Sequence, residues 1–536
     1  MTAKNLLKVV TLVTTVLISF SYTCRAQVWM PDLGNSTYKN PVLYADYSDP
    51  DVIRTGDDYY LVASSFTCQP GIPVLHSKDL VNWTIINYVY ITLPFDRYKQ
   101  VQHGQGSWAP SIRYHNGKYY VYVCTPEEGL LMAETTDPAG KWEMHVVKNV
   151  RGWEDPCPFW DEDGQAYLLH GKKGAGPAIL HKMSADGHAL LDTGVLIYQD
   201  RQKQPVLEGF KFMEKRDGYY YFAAPAGGVS TGWQSIFRSK NIYGPYEDKI
   251  VMNQGKTQIN GPHQGGYVET QTGEWWFMHF QAKGAYGRIV HLQPVHWENG
   301  WPVTGQDDDH DGTGEPVMTY RKPNVGKTYP ATAPQTTDEF NSNQLGLQWQ
   351  WQAAPDDKWY TLLPQQGKIR LNATSRPVGN GNLFYAGNLL LQKLTAPAFT
   401  VTTQMQFKPE QNGERAGLVM MGSYFTCLCI EKRDDGLVLV LYEGKKQAGT
   451  QPMTELASEP VNTVQVWLRG MIDENATCQY AYSTNGKDFK TIGTRCKLEK
   501  GDWIGAKTGL FCIDPNATEQ KEGFADFDYF RVAANK

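Results

Sequence analysis

The sequence predicts an all-β protein: a five-bladed β-propeller followed by a β-sandwich. Three observations carry this. Short runs of β-branched and aromatic residues broken by Gly, Asn and Asp fill the chain, without a long stretch of helical period. One strand–turn–strand unit recurs five times in the first 300 or so residues, and a differently patterned set of alternating strands follows a Pro- and Thr-rich stretch.

The repeated unit reads SDPDVIRTGDDYYLVAS, WAPSIRYHNGKYYVYV, EDPCPFWDEDGQAYLLH, LEGFKFMEKRDGYYYFAAP and GPHQGGYVETQTGEWWFMHF. Each copy is a strand, a Gly-containing turn and a second strand rich in Tyr or Trp. The turn glycines, Gly56, Gly117, Gly164, Gly218 and Gly273, are spaced by 61, 47, 54 and 55 residues, the size of a propeller blade. Within the third copy, Asp161 to Asp163 belong to the tight turn at Gly164.

At 536 residues the chain is long enough for two domains. The assignment is 27–320 for the propeller, 321–337 for a linker (within RKPNVGKTYPATAPQTTDEF) and 338–536 for the sandwich, with strands such as FTVTTQMQF and GLVLVLYE. Residues 1–26 read as a cleaved export signal: Lys4 and Lys8 precede an apolar run, and Cys24 and Ala26 occupy the small-residue places before Gln27. No later segment has the roughly 18 uninterrupted apolar residues of a membrane helix, so the expectation is an exported protein, periplasmic or extracellular. Fifty-one basic against 56 acidic residues give a net charge of −5, which argues against a nucleic-acid partner. Beyond the leader, eight cysteines are too sparse for a disulfide scaffold and form no CxxC pair. Cys478 and Cys496 flank a hairpin, and both a bridge and two free buried thiols are open.

In a propeller the first strand of each blade lines the central axis, so equivalent ends of these strands converge on one mouth. Asp49, Asp155, Glu208 and His263 lie seven, nine, ten and ten residues before their turn glycines, at the start of the inner strands. Any one acid there reads most simply as a turn or strand cap. Three carboxylates in one register are harder to explain structurally, because like charges gathered together destabilise a fold. No nucleophilic Ser or Cys motif accompanies them. The set suits glycoside hydrolysis, in which one carboxylic acid protonates the leaving oxygen and a carboxylate activates water.

These segments, together with NPVLYADYSDPDVIRTGDDYYLVASSF and YGRIVHLQPVHW, resemble glycoside hydrolase family 43, the propeller β-xylosidases and α-L-arabinofuranosidases, along nearly the whole chain. The resemblance implies that Asp49 is the general base, Glu208 the general acid, and Asp155 the residue that tunes and orients Glu208, in an inverting mechanism without a cofactor. It implies that Trp108 walls the sugar subsite, Phe66 contributes to substrate binding, and Arg288 hydrogen-bonds a sugar hydroxyl. His263 matches the family's central histidine near a bound ion or water, and a plain buried histidine is an equal reading. LGLQWQWQ and FADFDYFRV resemble the concanavalin-like C-terminal domain of such enzymes, where Asp338 and Asp528 match candidate ligands for a structural calcium.

Two departures from β-xylosidases stand out. In WIGAKTGLF, Lys507 lies near the place where the relatives present an aromatic ring, and Cys68 in SSFTCQPG replaces another aromatic. Both favour an arabinofuranosidase over a β-xylosidase. The expected activity is exo-acting release of terminal pentoses, α-L-arabinofuranose or β-D-xylose, from oligosaccharides such as arabinoxylan. A non-catalytic carbohydrate-binding protein and an endo-acting arabinanase are the alternatives. The loop DDDHDGTGEP opens like an EF-hand calcium loop but has Met318 where the twelfth-place Glu belongs, so it reads first as a solvated acidic loop.

Overall fold

The computed structural model describes residues 27–374, 381–446, 451–516 and 523–535. The leader assigned to residues 1–26, with Cys24, lies outside them. Five four-stranded antiparallel sheets follow one another in chain order, each meandering outward from its first strand. The inner strands are Asp51–Thr55, Trp108–His115, Trp153–Trp160, Lys211–Arg216 and His263–Glu269, the first strands of blades 1 to 5. All five turn glycines adopt positive φ, between 61° and 87°, which is why glycine recurs at this place in the period.

The aromatic second strands supply the packing between blades. In blade 5, Trp275–Ala282 is buried along almost its whole length, and Trp276 and Met278 pack with Leu61, Leu75 and Trp83 of blade 1, which closes the ring. A two-stranded ribbon, Thr37–Lys39 against Thr319–Arg321, ties the entry of the propeller to its exit. Beneath it, Asn40 donates to the carbonyls of Leu292 and Val317.

Two seven-stranded antiparallel sheets form the C-terminal sandwich. Strand Phe399–Lys408 alternates buried and half-buried residues along its length, the period-two pattern expected of a sheet with one face in the core. Cys478 and Cys496 sit directly opposite each other in their hairpin, and the eight cysteines among the described residues are buried thiols outside any disulfide. Among the described residues no helix is long and apolar enough to cross a membrane.

The sandwich docks on the propeller through backbone contacts. Trp351 and Gln69 exchange main-chain hydrogen bonds, and Ala506 N donates to Ala285 O at 2.7 Å. Asp46 joins the two parts at one carboxylate: one oxygen accepts from Arg288 N at 2.8 Å, and the other from Gly505 N at 3.0 Å.

Candidate active site

Near the start of each inner strand, the chain passes through one left-handed residue. These are Asp49 (φ 54°), Ala109 (37°), Asp155 (55°), Gly209 (65°) and Gln264 (34°). A bulge accompanies the turn in blades 2, 3 and 5, where the register shifts just past this position. Asp tolerates left-handed backbone better than most residues, and the kink re-aims its side chain. Gly209 has a further reason to be glycine: a Cβ there would lie 2.5 Å from Gln264 Cγ.

The consequence is a cavity of about 350 Å³ at one end of the axis, lined by Asp49, Asp155 and Glu208 together with Phe66, Trp108 and Arg288. That volume lies at the small end of ligand sites. The structure thus brings together the six residues predicted to act on or bind substrate at the mouth. His263, the seventh, lies just beneath, fully buried.

Asp49 is 1% exposed and heavily supported. One carboxylate oxygen accepts from Arg288 Nη1 at 2.7 Å, and the other from Ser64 Oγ at 2.6 Å and Ser48 Oγ at 3.0 Å. Arg288 is in turn fixed by Ser48 Oγ and by the rings of Phe66, Phe280 and Trp503, whose centroids lie 5.6, 4.6 and 5.9 Å from its guanidinium carbon.

Glu208 faces different neighbours. Burial, and then the charges of Asp155 and Asp49, outweigh the pull of Arg288 and push its carboxyl up to about 8. His263 Nε2 stands 3.3 Å from Glu208 Oε1, and burial drives this imidazole down to about 3, so it is a neutral neighbour at physiological pH. Neither ring nitrogen of His263 has a well-directed hydrogen-bond partner among the described residues.

Asp155 touches the backbone after Glu208 rather than the Glu208 carboxyl: its Oδ2 accepts from Gly209 N at 2.6 Å. Burial raises its own carboxyl, against the opposing effects of the Gly209 hydrogen bond and the Lys211 charge. Glu154, the residue before it, also lines the cavity, and burial followed by the Asp155 and Glu208 charges raises it strongly.

The walls are aromatic. Trp108 is held by its own ring nitrogen on Gly104 O at 2.9 Å, with Phe66 6.2 Å away centroid to centroid and Lys173 Nζ 5.1 Å from its ring. The far wall is Trp503, which the sandwich contributes and which remains 55% exposed.

Trp503 corrects the expectation about WIGAKTGLF. The aromatic residue at the mouth is the first residue of that segment, whereas Lys507 is buried at the head of strand Lys507–Ile513, with Nζ donating to Gln350 Oε1 at 3.1 Å. Cys68 is likewise buried, away from the cavity lining. Gln264, Lys173 and Trp503 are lining residues that sequence reasoning did not assign to the site.

The acids named for calcium lie elsewhere. Asp338 spends both oxygens on protein donors, Phe340 N, Gln348 Nε2 and Trp349 Nε1, while Asp528 sits half-buried on strand Phe524–Ala533. In the acidic loop, the carboxylates of Asp307, Asp309 and Asp311 do gather, with Asp307 and Asp311 accepting from the amides of Gly312 and Thr313.

Two carboxyls in contrasting surroundings, facing one small aromatic-walled cavity, are the equipment of a glycosidase that works by acid–base chemistry. Comparison with known proteins reaches the same class. Residues 38–302 match the glycosyl hydrolases family 43 model, and residues 337–533 match the β-xylosidase C-terminal concanavalin A-like domain. A putative β-xylosidase of Xylanibacter ruminicola is 42% identical over 483 residues, covering 89% of this chain and 86% of its own. A β-xylosidase of Formosa agariphila is 33% identical over 93% of this chain and 90% of its own, and a non-reducing-end α-L-arabinofuranosidase of Bacteroides ovatus 28% identical over 94% and 96%. Among solved structures, a family 43 protein from Bacillus licheniformis superposes with a TM-score of 0.79 at 26% identity, over 93% of this chain and all of its own. The chain belongs to glycoside hydrolase family 43 and is a glycosidase.

Proposed function

We propose that this glycosidase is exo-acting and inverting, and that it removes terminal pentoses, β-D-xylose and α-L-arabinofuranose, from plant cell-wall oligosaccharides such as arabinoxylan. The observation that carries the proposal is the pairing of Asp49 and Glu208 on one cavity that Trp503 walls from the sandwich side. A wall on that side favours a chain end over a passing polymer. The names of the relatives, β-xylosidases and an α-L-arabinofuranosidase, support pentose substrates, and the ring at the mouth removes the reason for preferring arabinofuranose over xylose.

In the proposed reaction Glu208, protonated, gives its proton to the glycosidic oxygen as the bond from that oxygen to the anomeric carbon breaks. A water on the opposite face forms the new bond to that carbon while Asp49 takes its proton. The sugar leaves with inverted configuration, and solvent then returns a proton to Glu208 and accepts one from Asp49. Arg288 holds Asp49 in place and has guanidinium donors left for a sugar hydroxyl. Asp155 fixes the peptide that carries Glu208 and adds, to the larger effect of burial, a negative charge that favours its protonated form. The two carboxyls supply every proton movement, so the chemistry needs no cofactor.

The test is hydrolysis of p-nitrophenyl β-D-xylopyranoside and α-L-arabinofuranoside by wild type and Asp49→Asn, with the first-formed anomer followed by NMR. Cleavage by wild type, its loss in the variant and an inverted first product are expected. Silence on both aryl glycosides and on arabinoxylan oligosaccharides would move the reading to a carbohydrate-binding protein, and a retained configuration would overturn the direct displacement. Export through residues 1–26 is part of the same proposal, and a mature protein beginning elsewhere than Gln27 would contradict it.

A further inference from the structure

We propose that Glu134, His145 and His188 form a zinc-binding site on the propeller face opposite the catalytic mouth. Blade 2 provides two of the ligands. Glu134 lies near the end of strand Gly129–Thr135, and His145 on the neighbouring outer strand Glu143–Lys148. Blade 3 provides His188, just after the turn that follows strand Ala178–Met183. Because Trp108, at the mouth, pairs with Cys124, while Glu134 pairs with Tyr120 farther along the same sheet, the cluster sits at the far end of these strands.

One ligand atom from each residue lies within 4.8 Å of the other two, and Glu134 Oε2 is 3.6 Å from His188 Nε2. Ligands at ordinary zinc bond lengths in a tetrahedron stand about 3.3 Å apart, so small side-chain rotations close the set. Two of the donor atoms, His145 Nε2 and Glu134 Oε2, are buried without a hydrogen-bond partner among the described residues. Buried polar atoms are ordinarily satisfied, and a metal shared by both would satisfy them together. Lys118 Nζ occupies the other Glu134 oxygen at 3.1 Å, which leaves Oε2 directed to the histidines. His188, with 35% of its side chain exposed, opens the cluster to solvent and provides a route of entry.

Two imidazoles and one carboxylate are a donor set for zinc rather than for a hard cation such as calcium, and three protein ligands leave a fourth position for water. The ion would clamp blade 2 to blade 3 at their outer rim. Its effect is on stability, because the acids that face the substrate stand at the other end of the strands.

The experiment uses the tag-free full chain, stripped with chelator and titrated with zinc chloride by calorimetry, with melting followed in parallel. One zinc per chain and a rise of about 2–4 °C in Tm are expected for wild type. His188→Ala and His145→Ala should lose both, with hydrolysis of aryl pentosides unchanged. His188 lies in a solvent-facing turn, so its variant decides the matter if His145→Ala does not fold. No binding by wild type, or the same stoichiometry and Tm shift in His188→Ala, would overturn the proposal.

Discussion

Blades 1 and 4 begin their inner strands with the same left-handed turn, yet the acids they carry there live in opposite surroundings. Asp49 receives one guanidinium and two hydroxyls, the partners of a charged carboxylate. Glu208 receives a neutral imidazole and the negative charge of Asp155, the neighbours of a protonated one. The fold fixes where an acid stands, and its neighbours fix what it does there.

Replacing either acid breaks the comparison most completely. Both Glu208→Gln and Asp49→Asn should lower kcat on xylobiose by about 10²–10⁴. They should then part on p-nitrophenyl xyloside, whose leaving group scarcely needs a proton: Glu208→Gln recovers most of its rate there, and Asp49→Asn does not. Equal losses on both substrates would mean that the roles are misassigned. Next comes Arg288→Ala, which leaves Asp49 without its cation and the sugar without a donor. A fall of about 10²-fold in kcat/KM is expected, and Arg288→Lys should not restore it, since a point charge cannot replace the planar fork.

A smaller effect sharpens the electrostatic half of the comparison. Activity should fall as pH rises through the raised pKa of Glu208, because the proposed general acid acts in its protonated form. Asp155→Asn removes a charge that opposes Glu208 ionisation, so the alkaline limb of kcat/KM should move to lower pH with a rate loss of about tenfold. An unmoved limb would leave Asp155 with a positioning role alone. Trp503→Ala should raise KM a few-fold with kcat nearly constant, the mark of lost uniform binding. Smallest of all is Glu154→Gln: a carboxyl already raised far enough to hold its proton changes no charge on becoming an amide, and rates should stay within about threefold.

The propeller and its acids were legible because they are periodic. A turn glycine with positive φ recurs in every blade, and counting back from it reaches the mouth each time. The step from nine to ten residues has a physical cause: Asp155 occupies the left-handed position itself, whereas Glu208 and His263 come one residue before it, beside Gly209 and Gln264. Trp503 was not legible in this way. It reaches the cavity from a loop of another domain, where no repeat sets its place, and nothing in WIGAKTGLF says which residue faces out. Lys507 turns inward to Gln350 because a strand starts there. Nor does a sequence show that the Asp338 carboxylate accepts from Trp349 and Gln348, since both partners lie on a separate segment whose approach only the fold sets.

Asp46 has a consequence for how this enzyme should fail. Its two oxygens bind the arginine segment of the propeller and the loop that bears Trp503, and a Cβ at Gly505 would lie 2.7 Å from Gly287 N, so the two segments meet backbone to backbone. Heat that merely loosens the sandwich therefore takes from Asp46 its Gly505 partner and withdraws one wall of the cavity in the same event. The apparent KM should therefore rise on warming while the five blades are still folded, so the temperature at which this protein loses its grip on substrate belongs to a joint, not to a core.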